Sequence, residues 1–291
     1  MSAPTATLVS AVPVPFTANG DLDRGGLQPL YRFLEAAGVD GVFTAGTTGE
    51  FTALDDDERE TVLVEALEVF GPDRVYAHVG AASARQAARL AARAVALGAR
   101  NLAAITPFYL PAGPEALIDY YRQLDAVAGD ARLHVYLYAA RTTTTVTPAQ
   151  LARLAETPSV AGAKISGEGT SRVLEYVRAV PEGFAVYSGN DVEFGEFVRG
   201  GGTGGVSGVS SVFPAPFVDL ADALRRGDEQ AAEAAQDHVK RAVEAVAGAD
   251  IALIKAGLTL RGLPAGPLRV ALDQPSRSQL DTLRSAIEDL T

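Results

Sequence analysis

A chain of 291 residues, 47% hydrophobic and 21% charged, can bury a sizeable core, which excludes the disordered and collagen-like classes. Its 25 Lys+Arg against 36 Asp+Glu give a net charge of −11; that balance repels phosphate backbones and anionic lipid, so neither nucleic acid nor a membrane is an expected partner. The absence of cysteine removes disulfide frameworks, zinc ribbons, iron–sulfur clusters and thiol nucleophiles, and fits a cytoplasmic protein.

Along the chain, short apolar, β-branched runs alternate with amphipathic helical patterns, the rhythm of βα units around a parallel sheet. The first basic residue is Arg24, so a secretory signal with its charged n-region is not expected. Eight strands are expected: Leu8 to Val14, Gly41 to Ala45, Arg74 to Val79, Asn101 to Ile105, Leu133 to Tyr138, Val160 to Ile165, Phe184 to Ser188 and Gly204 to Val209. Helix ends are readable between them. Asp55 and Glu58 form a capping box, Gly98 stops the helix from about Ser83 to Leu97, and Thr147 precedes Pro148 at a first helical position.

Eight βα units within the first 226 residues predict an α/β fold of the (β/α)₈ TIM-barrel type, with a doubly wound sheet as the alternative. Residues 227–291 read as a C-terminal helical extension packed on the barrel. The stretch Gly200 to Val218 is uncharged, but glycines, serines and two prolines break it, so it does not read as a membrane span. The run Gly200 to Gly205 reads as a helix-to-strand turn, and Asp55-Asp56-Asp57 as a helix start favoured by the macrodipole.

In a barrel the active site lies at the strand C-termini. Only three lysines occur; Lys240 and Lys255 sit in ordinary helical contexts, whereas Lys164 closes the apolar run Val160-Ala161-Gly162-Ala163-Lys164-Ile165. A lysine in an apolar interior has its charged form disfavoured, and a neutral amine attacks carbonyls to form Schiff bases; the alternative is a lysine snorkelling at a strand end. Gly46-Thr47-Thr48-Gly49-Glu50 follows the second strand with two hydroxyls and flexible amides that can cradle a small carboxylate, or simply make a βα turn. Tyr109 and Tyr138 fall at strand ends, where a phenol can shuttle a proton or merely pack. His78, His134 and His238 lack ligand spacing, so no metal site is expected, and no dinucleotide, P-loop or nucleophile-elbow motif occurs.

Taken in order, Val14-Pro15-Phe16, Gly46-Thr47-Thr48-Gly49-Glu50, Thr106-Pro107-Phe108-Tyr109, Leu137-Tyr138, Gly162-Ala163-Lys164, Tyr187-Ser188-Gly189-Asn190-Asp191 and Lys255-Ala256-Gly257-Leu258 make the chain similar to the pyruvate-dependent class I aldolases typified by dihydrodipicolinate synthase and N-acetylneuraminate lyase. The resemblance implies that Lys164 forms a covalent imine with C2 of pyruvate or another 2-oxo acid, with no metal or organic cofactor. It implies that Thr48, Gly46 and neighbouring amides hold the carboxylate, with Val206 beside them. Tyr138 would be the general acid/base, and Thr47 and Tyr109 would complete a proton relay, Tyr109 reaching across a subunit interface of a dimer or homotetramer.

The synthases follow their tyrosine with Asn-x-Pro-x-Arg-Thr-Gly, whereas Tyr138 is followed by Ala139-Ala140-Arg141-Thr142-Thr143, a loop read as about two residues shorter. Arg141 is the candidate for an acceptor's carboxylate. Ile165-Ser166-Gly167-Glu168 stands where the synthases have Glu-Ala-Thr-Gly. These departures favour cleavage, condensation or dehydration of a 2-oxo-3-deoxy sugar acid or similar substrate, with an aldehyde as the second reactant. The alternatives are a dihydrodipicolinate synthase condensing pyruvate with aspartate semialdehyde, and a non-catalytic barrel that binds a 2-oxo acid.

Overall fold

The computed structural model describes residues 5–291. Eight parallel strands close into a barrel in which each pairs with the next and β1 pairs with β8, which excludes the doubly wound sheet. In chain order the elements are β1 (Thr7–Ala11), α1 (Arg24–Ala36), β2 (Gly41–Thr44), α2 (Asp56–Phe70), β3 (Val75–His78), α3 (Ala84–Ala96), β4 (Asn101–Ile105), α4 (Pro114–Ala128), β5 (Arg132–Leu137), α5 (Ala139–Thr142), α6 (Pro148–Leu154) and β6 (Val160–Ile165). There follow α7 (Thr170–Ala179), β7 (Ala185–Ser188), α8 (Phe194–Arg199), β8 (Gly204–Ser207), α9 (Pro214–Arg226), α10 (Glu229–Ala245), α11 (Ile251–Leu260) and α12 (Arg277–Leu290).

The strands are buried on both faces, so their side chains divide by the period of two into two cores. On β5, for example, Leu133, Val135 and Leu137 face the helices, while Tyr136 joins Val9, Phe43, Ile105, Tyr187 and Val206 in the barrel interior. The helix starts follow the expected chemistry: reciprocal capping boxes join Asp55 to Glu58 and Thr147 to Gln150, and Ser83 caps α3. Gly98, just beyond α3, has φ +97°.

Several strand ends differ from expectation. β1 stops at Ala11 rather than Val14, because Pro13 and Pro15 have no N–H for a ladder. β3 and β7 are trimmed at their ends, and β8 stops at Ser207, where a short helical turn begins at Val209. β8 opens at Gly204 as expected, so the helix-to-strand turn read over Gly200 to Gly205 ends before it: a Cβ on Gly204 would lie 2.0 Å from the Thr7 carbonyl oxygen of β1. Beyond the barrel α10 packs on α9, and α12 lies against both α10 and α11. Among the described residues no helix is long and apolar enough to cross a membrane.

Candidate active site

Lys164 lies on the interior face of β6, in register with Tyr136 of β5 and Tyr187 of β7. The side chain is buried, and Nζ stands 4.4 Å from the centroids of both the Phe43 and Tyr136 rings. Burial pushes the amine down from its ordinary value to about 7, against the opposing pull of Asp191 and Tyr138. A substantial neutral fraction is therefore present near neutral pH, which a nucleophilic amine requires.

The residue that meets Thr47 is Tyr136. Its hydroxyl lies 3.2 Å from Thr47 Oγ1, in a hydrogen bond that either oxygen can donate. Burial raises the Tyr136 phenol, while Thr47 and Ser166 hydrogen bonds draw it back down. Tyr138, expected in this place, has left the strand and occupies the N-cap of α5; its ring lies 6.3 Å from that of Tyr136. The Tyr-Asn-x-Pro-x-Arg-Thr-Gly pattern held the signal, because five residues back from Arg141 is Tyr136. Counted so, the loop is not shortened. Leu137 and Ala139 replace Asn and Pro, Thr142 matches Thr, and Thr143 takes the Gly position with φ +58°, the left-handed conformation that favours glycine.

One cavity of about 590 Å³ brings Lys164, Tyr136, Tyr138, Thr47, Thr48, Arg141 and Val206 together. Its turn is closed by the Glu50 N–H to the Thr47 carbonyl and the Phe51 N–H to the Gly46 carbonyl, a closure that does not use the amides of Thr47 and Thr48. Gly46 abuts the Phe43 ring from the same turn. Ser166, Glu168 and Asn190 also line the cavity. Gly189 makes room for Ser166, since a Cβ on it would stand 2.4 Å from Ser166 Oγ and force that hydroxyl to turn away. Tyr109 is not in this cavity; it is 88% exposed with φ +77°, beside Leu110 at 72%.

Lys255 is not in an ordinary helical context. Its ammonium donates to Glu50 Oε1 at 2.9 Å and to the carbonyls of Val14 and Pro267, and Glu50 Oε2 accepts the N–H groups of Arg269 and Val270. This buried pair fastens α11 to the Thr47-Thr48 turn, and Glu50 itself adopts φ +54°. No periodicity announces such a contact between residues 205 positions apart. His78 and His134 are buried and His238 is exposed. Among the described residues no group of three or more His, Asp or Glu side chains is placed to hold a metal ion.

A closed (β/α)₈ barrel with a buried, charge-depleted lysine at the end of β6 is the architecture of a Schiff-base aldolase or lyase. The chain matches the dihydrodipicolinate synthetase family over residues 4–290 and belongs to it; it is a class I aldolase or lyase. A DapA-like lyase of Halobacterium salinarum is 36% identical over 283 residues, covering 97% of this chain and 91% of that one. A 4-hydroxy-tetrahydrodipicolinate synthase of Exiguobacterium is 32% identical, with 97% and 96% covered. Among solved structures, YagE, a prophage protein of the same family from E. coli K12 in complex with pyruvate, superposes with a TM-score of 0.90 at 26% identity, covering 98% of each chain.

Proposed function

We propose that this protein cleaves, condenses or dehydrates a hydroxylated 2-oxo acid through an imine on Lys164. The observation that carries the reading is the buried Lys164 amine, lowered to about 7 and set between two aromatic rings. The pyruvate bound by YagE supports a 2-oxo acid as the electrophile. Thr48 and the amides of its turn receive the carboxylate, Gly46 and Val206 shape its seat, and the amine attacks C2. In the cleavage direction Tyr136, relayed through Thr47, removes the proton from the C4 hydroxyl; the C3–C4 bond breaks and its electron pair enters the iminium, giving an enamine and an aldehyde. Protonation of C3 and hydrolysis then release the 2-oxo acid. The iminium is the electron sink, so this chemistry calls for neither a metal nor an organic cofactor.

Ser166, Glu168 and Asn190 favour a hydroxylated chain, because they supply hydrogen-bond partners for several hydroxyls along the cavity. Tyr138, at the N-cap of α5, is left to contact the acceptor. Arg141 takes a terminal carboxylate where the substrate has one. The second reading is a 4-hydroxy-tetrahydrodipicolinate synthase, favoured by its namesake relative and by the full-length Arg141 loop. A non-catalytic barrel is disfavoured, since a binder has no use for Lys164, Tyr136 and Thr47 together. The exposed Tyr109 and Leu110 support a dimer or tetramer in which Tyr109 completes a neighbour's relay, and the cysteine-free chain fits the cytoplasm.

The test compares turnover of 2-oxo-3-deoxy sugar acids with condensation of pyruvate and aspartate semialdehyde. Release of pyruvate from the sugar acids, abolished by Lys164→Ala, is expected; condensation activity lost in Arg141→Ala would establish the synthase instead.

A further inference from the structure

Part of the wall of the Lys164 cavity is made by the loops after β6 and β7, Ser166 to Gly169 and Gly189-Asn190, which in the closed barrel stand across from the Thr47-Thr48 turn after β2. The two loops share one anchor that does not itself line the cavity: Glu193, in the turn leading into α8. Its Oε2 accepts the Thr170 N–H at 2.7 Å and Asn190 Nδ2 at 2.9 Å. Helix α7 needs the first of these bonds, because its N-cap is Gly169, which has no side chain to receive the free N–H groups of the first turn. The second bond fixes Asn190. A carboxylate only accepts, so the NH₂ end of the amide faces Glu193 and the carbonyl end is the one left over.

The turn that carries Asn190 is pinned on both sides of it. The Asn190 N–H donates to Ser188 Oγ at 3.0 Å. Next in the chain, Asp191 Oδ2 accepts from Ser207 Oγ of β8 at 2.8 Å, and the Asp191 carbonyl accepts from Gln236 Nε2 of α10 at 3.0 Å. Gln236 Oε1 takes the Gly195 N–H at 2.9 Å in return. The main-chain N–H and the amide nitrogen of Asn190 are therefore both engaged, whereas among the described residues nothing donates to its Oδ1. That oxygen belongs to a side chain lining the cavity, and an acceptor held there is satisfied only by a donor that the cavity receives.

Given the Lys164 imine chemistry proposed above, we propose that Asn190 is a specificity-determining residue that accepts a hydrogen bond from a hydroxyl of the substrate chain beyond C4, and that Glu193 is the positioning residue that holds the amide in that orientation. Glu168 adds a second acceptor to the same wall. The substrate class follows from the direction of these bonds. A chain with free hydroxyls donates to both groups; a chain ending in a methyl leaves Asn190 Oδ1 unpaired, and a carboxylate placed here meets only acceptors.

The experiment compares two substrates that share the reacting carbons: a 2-oxo-3-deoxyhexonate, with hydroxyls beyond C4, and 4-hydroxy-2-oxopentanoate, with a methyl there. On the full chain, kcat/KM for each is read by pyruvate release, and the borohydride-trapped pyruvyl adduct is measured alongside. In Asn190→Leu the ratio of the two kcat/KM values, hexonate over pentanoate, falls about tenfold, the worth of one hydrogen bond. Glu193→Ala frees the amide to turn and lowers the ratio in the same direction. Glu193→Gln keeps the wild-type ratio, because its amide oxygen can accept both N–H groups that Glu193 Oε2 holds. A purely structural role for the two residues would lower the melting temperature and the turnover of both substrates together, with the ratio unchanged. An unchanged ratio in Asn190→Leu, or in a folded Glu193→Ala, overturns this inference alone, as does a wild type that forms the adduct without preferring the hexonate; if Glu193→Ala does not fold, Asn190→Leu decides. No adduct on the wild type overturns the Lys164 reading and this inference with it.

Discussion

Replacing Lys255 by methionine keeps most of the side-chain volume and removes the charge that Glu50 faces. The pair is inaccessible, with side-chain exposures of 3% and 0%, and the substitution strands Glu50 Oε1 together with the carbonyls of Val14 and Pro267. Breaking a buried pair by removing one partner costs ~3–5 kcal/mol. Glu50 Oε2 keeps two backbone donors, at 2.7 and 2.9 Å, which places the loss at the lower end. With the usual unfolding entropy per residue for a chain of this length, ~3 kcal/mol lowers the melting temperature by about 5 °C. Because Glu50 directly follows the Thr47-Thr48-Gly49 turn, the same variant raises KM for the 2-oxo acid more than it lowers kcat. Urea and thermal unfolding of Lys255→Met, Glu50→Gln and the double variant check the reasoning, the double costing clearly less than the two singles together. Single variants that melt within about 1 °C of the wild type would refute it.

The remaining predictions concern the reaction and the assembly. Tyr136→Phe lowers kcat by about 10²–10⁴, the usual worth of a general acid/base, while Tyr138→Phe acts mainly on KM for the acceptor; steady-state kinetics on both variants separate the two tyrosines. The amine attacks only when neutral, so with Lys164 lowered to about 7 imine formation rises through pH 7 and levels above it. An unburied lysine would keep rising towards about pH 10, and stopped-flow trapping across pH 5 to 10 distinguishes the two. Leu110→Asp places a charge on a side chain 72% exposed in the monomer, so it leaves the monomer fold intact but dissociates the proposed oligomer, read by light scattering, and lowers activity with it.

Much of the architecture was legible because barrel strands are marked by local composition. β4 and β6 have the bounds that their apolar runs predict, and the capping boxes at Asp55 and Thr147 are local hydrogen-bond patterns. Lys164 stood out for the same reason, as a charge closing an apolar strand. The misplaced residues are those decided by register or by distant contacts. Tyr136 and Tyr138 share the strand's period of two, so alternation cannot choose between them; the choice comes from the strand ending at Leu137 and from counting back from Arg141. Lys255 looks like any helical lysine until α11 is docked against Glu50, and Asp191 looks like a turn residue until β8 brings Ser207 beside it.

Borohydride reduction of the protein in the presence of pyruvate, followed by intact mass and peptide mapping, tests the central claim most directly. A single reduced pyruvyl adduct on the peptide carrying Lys164, absent from Lys164→Ala, is the predicted result. An adduct on Lys240 or Lys255, or an unmodified chain with pyruvate and with longer 2-oxo acids alike, would contradict it.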